Sequence, residues 1–176
     1  NSGSSANLLA ITSLVNHGRQ QHQRLSHGDH VLIPAVCWPT SVWPIRQAGL
    51  IPVFVDVDPV TMNIDVIDVE RRITSKTKAI VLVHVLGNSC PMIPLLKIVR
   101  KYNLIVVEDT CESLGSTAAD DSNNDSNNDS NNNSNNNSSN NTSRFLGTFG
   151  DFGTYSFYYS HHMTTGEGGM VVCRSR

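Results

Sequence analysis

The stretch KAIVLVHVLGNSCPMIPLLKIVRKYNLIVVEDT, Lys78 to Thr110, holds three patterns in succession. Ala79 to Val85 is a short, nearly continuous apolar run. Ile93 to Tyr102 spaces its apolar positions as a helix does, and Leu104-Ile105-Val106-Val107 is apolar throughout. A strand buried on both faces loses the apolar/polar alternation of a half-exposed one, and two such strands joined by a helical crossover pair in parallel. The unit predicts a parallel sheet with helices packed over it.

The rest of the chain repeats the unit. Upstream, Val31-Leu32-Ile33-Pro34 follows Gly28-Asp29, and a helix over Pro39 to Ala48 opens on its proline and closes at Gly49. Val53 to Val57 reads as the next strand and Asp65 to Ile73 as the next helix. A first helix runs from Ser4 to about Arg24 on apolar positions at helical spacing, and Thr154 to Tyr159 is an aromatic strand containing Ser156. The expected class is α/β, a three-layer fold with a mainly parallel sheet and helices on both faces. Ala118 to Ser143 breaks the pattern. Almost wholly Asn, Ser and Asp, it has nothing to bury against its ordering entropy and is predicted to be a disordered surface insertion.

Composition narrows the function classes. The 176 residues suit one domain, and 39% of them are hydrophobic. A formal charge of -2, with no Lys/Arg block longer than a pair, gives no basis for a nucleic-acid or anionic-membrane partner. Neither a bilayer-spanning run nor a signal-peptide pattern is present, so a cytoplasmic location is the default expectation. Cys37, Cys90, Cys111 and Cys173 form no CxxC pair and read as small buried hydrophobes or free thiols. Because the chain opens at Asn1 and stops at Arg176, directly after an apolar strand pattern, residues 1–176 are expected to be an internal fragment of a longer protein.

Ligands of open parallel sheets collect at the carboxyl ends of the strands. NSGSSAN, Asn1 to Asn7, sets a glycine and serines at a helix start, where free N–H groups suit a phosphate; plain N-capping is the competing reading. Glu108 and Asp109 end the most apolar strand, where a carboxylate needs donors or a cation. Capping of the following segment and pairing with a bound protonated group both account for them, and Glu112 can share either role. Trp38 can lie over a flat ligand or be plain core. His161 follows Ser156 by five residues and His162 adjoins it, so one of the pair can carry a proton or both can be surface residues. Glu167, in the GEGG turn, reads as structural. Together these supply a phosphate site, an aromatic plate, a carboxylate and a proton carrier, which is the set pyridoxal phosphate (PLP) requires apart from its usual lysine.

In order, NSGSSANLLA, GDHVLIPAVCWPT, GLIPVFVDVD, HVLGN, VEDTCESLG and LGTFGDFGTYSFYYSHHMTTGEGGMVV resemble the DegT/DnrJ/EryC1/StrS family of fold-type-I enzymes, mostly nucleotide-sugar aminotransferases. The resemblance covers nearly the whole chain apart from the Asn/Ser tract. It implies part of the aspartate aminotransferase-like large domain, with the small C-terminal domain absent, and a homodimer with its active sites at the interface. Gly3, Ser4 and Ser5, joined by Ser156, become the phosphate site; Trp38 stacks on the ring. Asp109 pairs with the ring nitrogen, and Glu112 stands near the ring hydroxyl. His161 departs from the family pattern, which has at this position the lysine that holds the cofactor covalently.

A histidine here is found in the branch of nucleotide-sugar 3-dehydratases that use pyridoxamine phosphate (PMP), and this makes His161 the base. Within the branch, one type regenerates the cofactor with glutamate. Another adds a two-iron two-sulfur cluster and a reductase partner, and its cluster cysteines lie beyond the part represented here. The resemblance thus implies loss of the C3 hydroxyl from a nucleotide-linked 4-keto-6-deoxyhexose. An aminotransferase is one alternative, and a catalytically inactive binding or scaffold relative is another.

Overall fold

The computed structural model describes residues 1–15, 24–120 and 142–174. Four helices, α1 (Gly3–Leu14), α2 (Pro39–Gln47), α3 (Val66–Arg72) and α4 (Met92–Tyr102), alternate with β1 (His30–Pro34), β2 (Ile51–Val55), β3 (Thr77–Val83) and β4 (Ile105–Asp109). Four further strands follow: β5 (Thr117–Asp120), β6 (Thr142–Phe145), β7 (Phe152–Ser156) and β8 (Gly169–Cys173). The central sheet has the order β2-β1-β3-β4-β7-β8, parallel except for the antiparallel β7–β8 pair. This is the three-layer, mainly parallel architecture that the sequence predicts.

Alternation along the strands divides the core in two. Val31, Ile33, Ala79, Val81 and Val107 point to one face and pack with Ala10, Ile11 and Leu14 of α1 and Ile45 and Ala48 at α2. Leu32, Ile80, Leu82 and Val106 point to the other and meet Val69 of α3 with Met92, Leu95 and Ile98 of α4. Successive strand residues must face opposite ways, so one continuous apolar run serves both layers. Each fully buried Leu or Ile contributes roughly 1.5–3 kcal/mol.

Local chemistry sets the element ends. Ser2 caps α1, its Oγ accepting the Ser5 N–H at 3.1 Å, and Asp65 caps α3 through the N–H groups of Ile67 and Asp68. Pro39 occupies the first turn of α2, and Asn103 ends α4 in the left-handed conformation.

Several boundaries differ from the sequence reading. The second strand starts at Ile51, two residues early, because Pro52 is tolerated on what proves to be an edge strand. The aromatic strand stops at Ser156, since the Tyr158 N–H turns back to the Ser156 Oγ at 3.3 Å. The Asn/Ser tract is ordered at both ends: Ala118, Ala119 and Asp120 pair antiparallel with Arg144, Ser143 and Thr142, and Ala118 packs on the core. The first helix ends at Leu14, with Val15 as its C-cap, short of the expected end near Arg24; residues 16–23 and the remainder of the tract, 121–141, lie outside the described residues.

Asp68 anchors α3 to the exit of β2. Its Oδ2 accepts the Asp56 N–H at 2.8 Å, and Arg71 and Arg72 pair with its two oxygens. Burial raises this carboxyl, but the Asp56 N–H and the two guanidinium groups outweigh it and bring it from 3.8 down to about 2. A depressed carboxyl stabilises the fold above its unfolded value, and that stability is lost as pH falls from about 4 to about 2. Because Arg71 and Arg72 are 73% and 43% exposed, the electrostatic part is on the order of 1 kcal/mol. Urea unfolding should therefore show Asp68→Asn less stable than wild type at pH 7, with the gap closing towards pH 2; a gap independent of pH would contradict this account.

Candidate active site

The chain runs from β1 to its outer neighbour β2, returns to β3 on the inner side of β1 and goes on to β4, so the connections that follow the parallel strands β1 and β3 run to opposite sides. Crevices at such a switch point open beyond the carboxyl ends of the strands. A cavity of about 1030 Å³ lies there, lined by the start of α1 and by the segments that follow β1, β3, β4 and β7.

Gly3 brings α1 into the site. A Cβ on this residue would sit 2.6 Å from the Ser156 Cβ and 2.9 Å from the Cys111 Sγ, so only glycine lets the helix start approach β7 and β4 this closely. Gly169 does the same beside Ser2, whose carbonyl oxygen would lie 2.0 Å from an added Cβ. The first-turn N–H groups of Gly3 and Ser4 have no acceptor within a helix, and the Ser156 side chain stands beside them. Gly3, Ser4 and Ser156 line the cavity. Ser5 does not: its N–H goes to Ser2, and its hydroxyl donates to Asn1 at 2.5 Å.

Glu108 and Asp109, adjacent on β4, have different surroundings. Asp109 is buried and lines the cavity, and its Oδ2 accepts from Asn7 Nδ2 at 2.8 Å and Ser41 Oγ at 2.7 Å. Its Oδ1 accepts the Cys111 N–H at 3.2 Å. All three donors are neutral, and among the described residues no cationic side chain pairs with Asp109. Glu108 is buried away from the cavity, and its carboxylate takes the N–H groups of Gly147 at 2.8 Å and Gly150 at 2.6 Å and approaches His84 Nε2 at 3.2 Å. His84 Nδ1 accepts the Cys90 N–H at 3.1 Å, so the hydrogen bonds assign the ring proton to Nε2, which donates to Glu108.

The remaining predicted residues lie around the rim. Trp38 caps α2 without a side-chain hydrogen bond and is 71% exposed, a cavity-side indole rather than core. Glu112 lines the cavity, and its Oε2 accepts the N–H of Leu86, a residue with φ of 52° in the turn after β3. Beyond Ser156, a turn closed by the His161 N–H on the Tyr158 carbonyl at 3.0 Å folds the chain back. It places half-buried His161 on the cavity wall and leaves His162 exposed outside it. Tyr158, beside His161 with ring centroids 6.3 Å apart, also lines the cavity, as do Tyr159 and Glu167. Glu167 is thus a cavity residue, beyond the structural role read for it.

Cys37 and Cys111 line the cavity as protonated thiols. Burial, helped by the charge of Asp109, pushes Cys37 up to about 11 and Cys111 well above the ordinary thiol range. Neither has the thiolate character of a nucleophile at neutral pH. All four cysteines are free, and Cys173 is exposed. Among the described residues no group of three or more His, Cys, Asp or Glu side chains is placed to hold a metal, and no helix is long and apolar enough to cross a membrane.

Sequence reasoning missed Asn7, Ser41, His84 and the two tyrosines. Asn7 carried a signal, since it lies one turn after Gly3 on the same helical face. Ser41 and His84 carried none, because their partners lie 68 and 24 residues away.

Comparisons with known proteins agree with this fold. A lipopolysaccharide biosynthesis protein of Salmonella typhimurium is 43% identical over 99% of this chain, and a dTDP-4-dehydro-2,6-dideoxy-D-glucose 3-dehydratase of Saccharopolyspora spinosa is 40% identical over 99%. The chain spans about a third of the length of these curated relatives, 34% and 33%. The structure of Escherichia coli GDP-4-keto-6-deoxy-D-mannose-3-dehydratase with bound hydrated PLP superimposes with a TM-score of 0.78, at 37% identity, over 98% of this chain and 38% of that one. The model of the DegT/DnrJ/EryC1/StrS aminotransferase family matches residues 1–176. The chain belongs to the DegT/DnrJ/EryC1/StrS aminotransferase family.

Proposed function

We propose that this chain is the cofactor-binding part of a PMP-dependent enzyme that removes the C3 hydroxyl of a nucleotide-linked 4-keto-6-deoxyhexose. The observation that carries the reading is His161 on the cavity wall. The four lysines of the chain, Lys76, Lys78, Lys97 and Lys101, all lie outside the cavity lining. An aminotransferase needs a lysine at this point. The named activities of two relatives, 3-dehydratases of a dTDP- and a GDP-linked sugar, support the same substrate class.

The residues present fit the cofactor. Asp109 is a buried carboxylate with only neutral partners, suited to a protonated ring nitrogen. Gly3 and Ser4, with the Ser156 hydroxyl, would hold the phosphate. Ser5, tied to Asn1 and Ser2, contributes through the cap that orders this turn. Trp38 would cover one ring face. Glu112 would stand at the ring's hydroxyl edge while holding Leu86 in place.

When bound, PMP supplies an amine that condenses with the sugar ketone and a ring that takes up electron density. His161 would take the proton from the carbon bearing that amine on an imidazole nitrogen and give it to the departing hydroxyl, which leaves as water. A nucleotide sugar as ligand and a homodimer complete the reading. The test is borohydride reduction of the full-length protein mixed with PLP, followed by peptide mapping. Lys76, Lys78, Lys97 and Lys101 are all expected to stay unmodified, and a reduced cofactor adduct on any of them would sink the proposal.

A further inference from the structure

The hydrogen bonds around Asp109 join three parts of the cavity that the chain builds separately. Asn7 lies on α1 one turn after Gly3, and its amide reaches Asp109 Oδ2 at 2.8 Å. Ser41 lies in the first turn of α2, its hydroxyl donates to the same oxygen at 2.7 Å, and its N–H holds the Trp38 carbonyl at 2.9 Å. Thr154 on β7 donates to Asn7 Oδ1 at 2.6 Å, which fixes the amide: flipped, it would set its oxygen against the carboxylate. Asn7, Ser41, Asp109 and Thr154 are all buried, with relative exposures of 5%, 2%, 5% and 0%.

We propose that Asn7 and Ser41 are positioning residues that act through Asp109, holding this carboxylate in register with the helix start on one side and with Trp38 on the other. The inference rests on the reading of Asp109 as the partner of the cofactor ring nitrogen. A rigid ligand with a phosphate at one end and a protonated nitrogen at the other needs its two anchors at a fixed separation. Asn7 sets that separation, because the residue that reaches Asp109 shares a helix face with Gly3. Ser41 sets the height of the aromatic plate over the same point. Oδ2 is occupied by two donors, whereas Oδ1 takes the longer bond from the Cys111 N–H.

The experiment is a PMP titration of the full-length protein, followed by fluorescence, in Asn7→Leu, Ser41→Ala and Asp109→Ala and in both combinations with Asp109→Ala. A hydrogen bond to a charged group corresponds to roughly a 10- to 100-fold change in affinity. Asn7→Leu and Ser41→Ala should each weaken PMP by roughly 10-fold or more and shift the absorption maximum of bound PLP. Neither should cause further loss in the Asp109→Ala background. Ser41→Ala removes a single oxygen, so it reports even if Asn7→Leu folds poorly. Losses that persist undiminished in the Asp109→Ala background, or no loss in Ser41→Ala, would overturn the inference while leaving the Asp109 reading intact. PMP affinity unchanged in Asp109→Ala itself would instead overturn the reading on which the inference rests.

Discussion

His161→Asn is expected to bind PMP with wild-type affinity and to lose dehydration by roughly 100- to 10,000-fold, the range for removing a general base. The two effects separate because different elements supply them. The groups assigned to cofactor affinity, Gly3, Ser4, Asp109 and Ser156, belong to α1, β4 and β7, whereas His161 hangs from the turn beyond β7. Asparagine keeps a hydrogen-bonding side chain at that point but cannot accept and return a proton near neutral pH. A steady-state assay beside a PMP titration checks both halves, and unchanged turnover would remove His161 as the base. His162→Asn makes the contrast: exposed and outside the cavity, it should cost less than roughly 0.5 kcal/mol in stability and leave turnover intact.

Glu108→Leu should destabilise the fold by roughly 3–5 kcal/mol. The carboxylate is fully buried and accepts from three donors, the N–H groups of Gly147 and Gly150 and His84 Nε2. Each buried donor left without a partner costs about 1–3 kcal/mol, and leucine satisfies none of them. Glutamine is a poor rescue. Its amide nitrogen would face one of those donors, and His84 cannot switch tautomer while its Nδ1 accepts from Cys90. Urea unfolding measures the loss, and a change under about 1 kcal/mol in Glu108→Leu would show that Glu108 does not clamp these segments.

The layers of the fold were legible because β1, β3 and β4 are buried on both faces and so read as unbroken apolar runs. The misread boundaries have local causes. Pro52 has no N–H to give to a sheet, yet an edge strand has backbone groups that need no sheet partner. Tyr158 and Tyr159 look like strand residues by type but stand 39% and 69% exposed at the cavity mouth.

In the candidate site, residues at fixed offsets from a strand end or helix start could be read from sequence: Gly3, Trp38, Asp109, Ser156 and His161. Position alone did not separate Asp109 from Glu108, which only the family resemblance told apart, because which neighbour faces the cavity depends on strand register against β3 and β7. Asn7 could be placed on the helix face of Gly3, but its bond to Asp109 and that of Ser41 were illegible, since the partners are 102 and 68 residues apart.

The central claim, that His161 moves the proton a lysine moves elsewhere in the family, is tested most directly by hydrogen exchange. Full-length protein with PMP and its nucleotide-sugar substrate would be incubated in heavy water, and deuterium at the cofactor methylene read by mass spectrometry. Wild-type protein is predicted to exchange a methylene hydrogen while His161→Asn does not; exchange in the variant at the wild-type rate would contradict the claim.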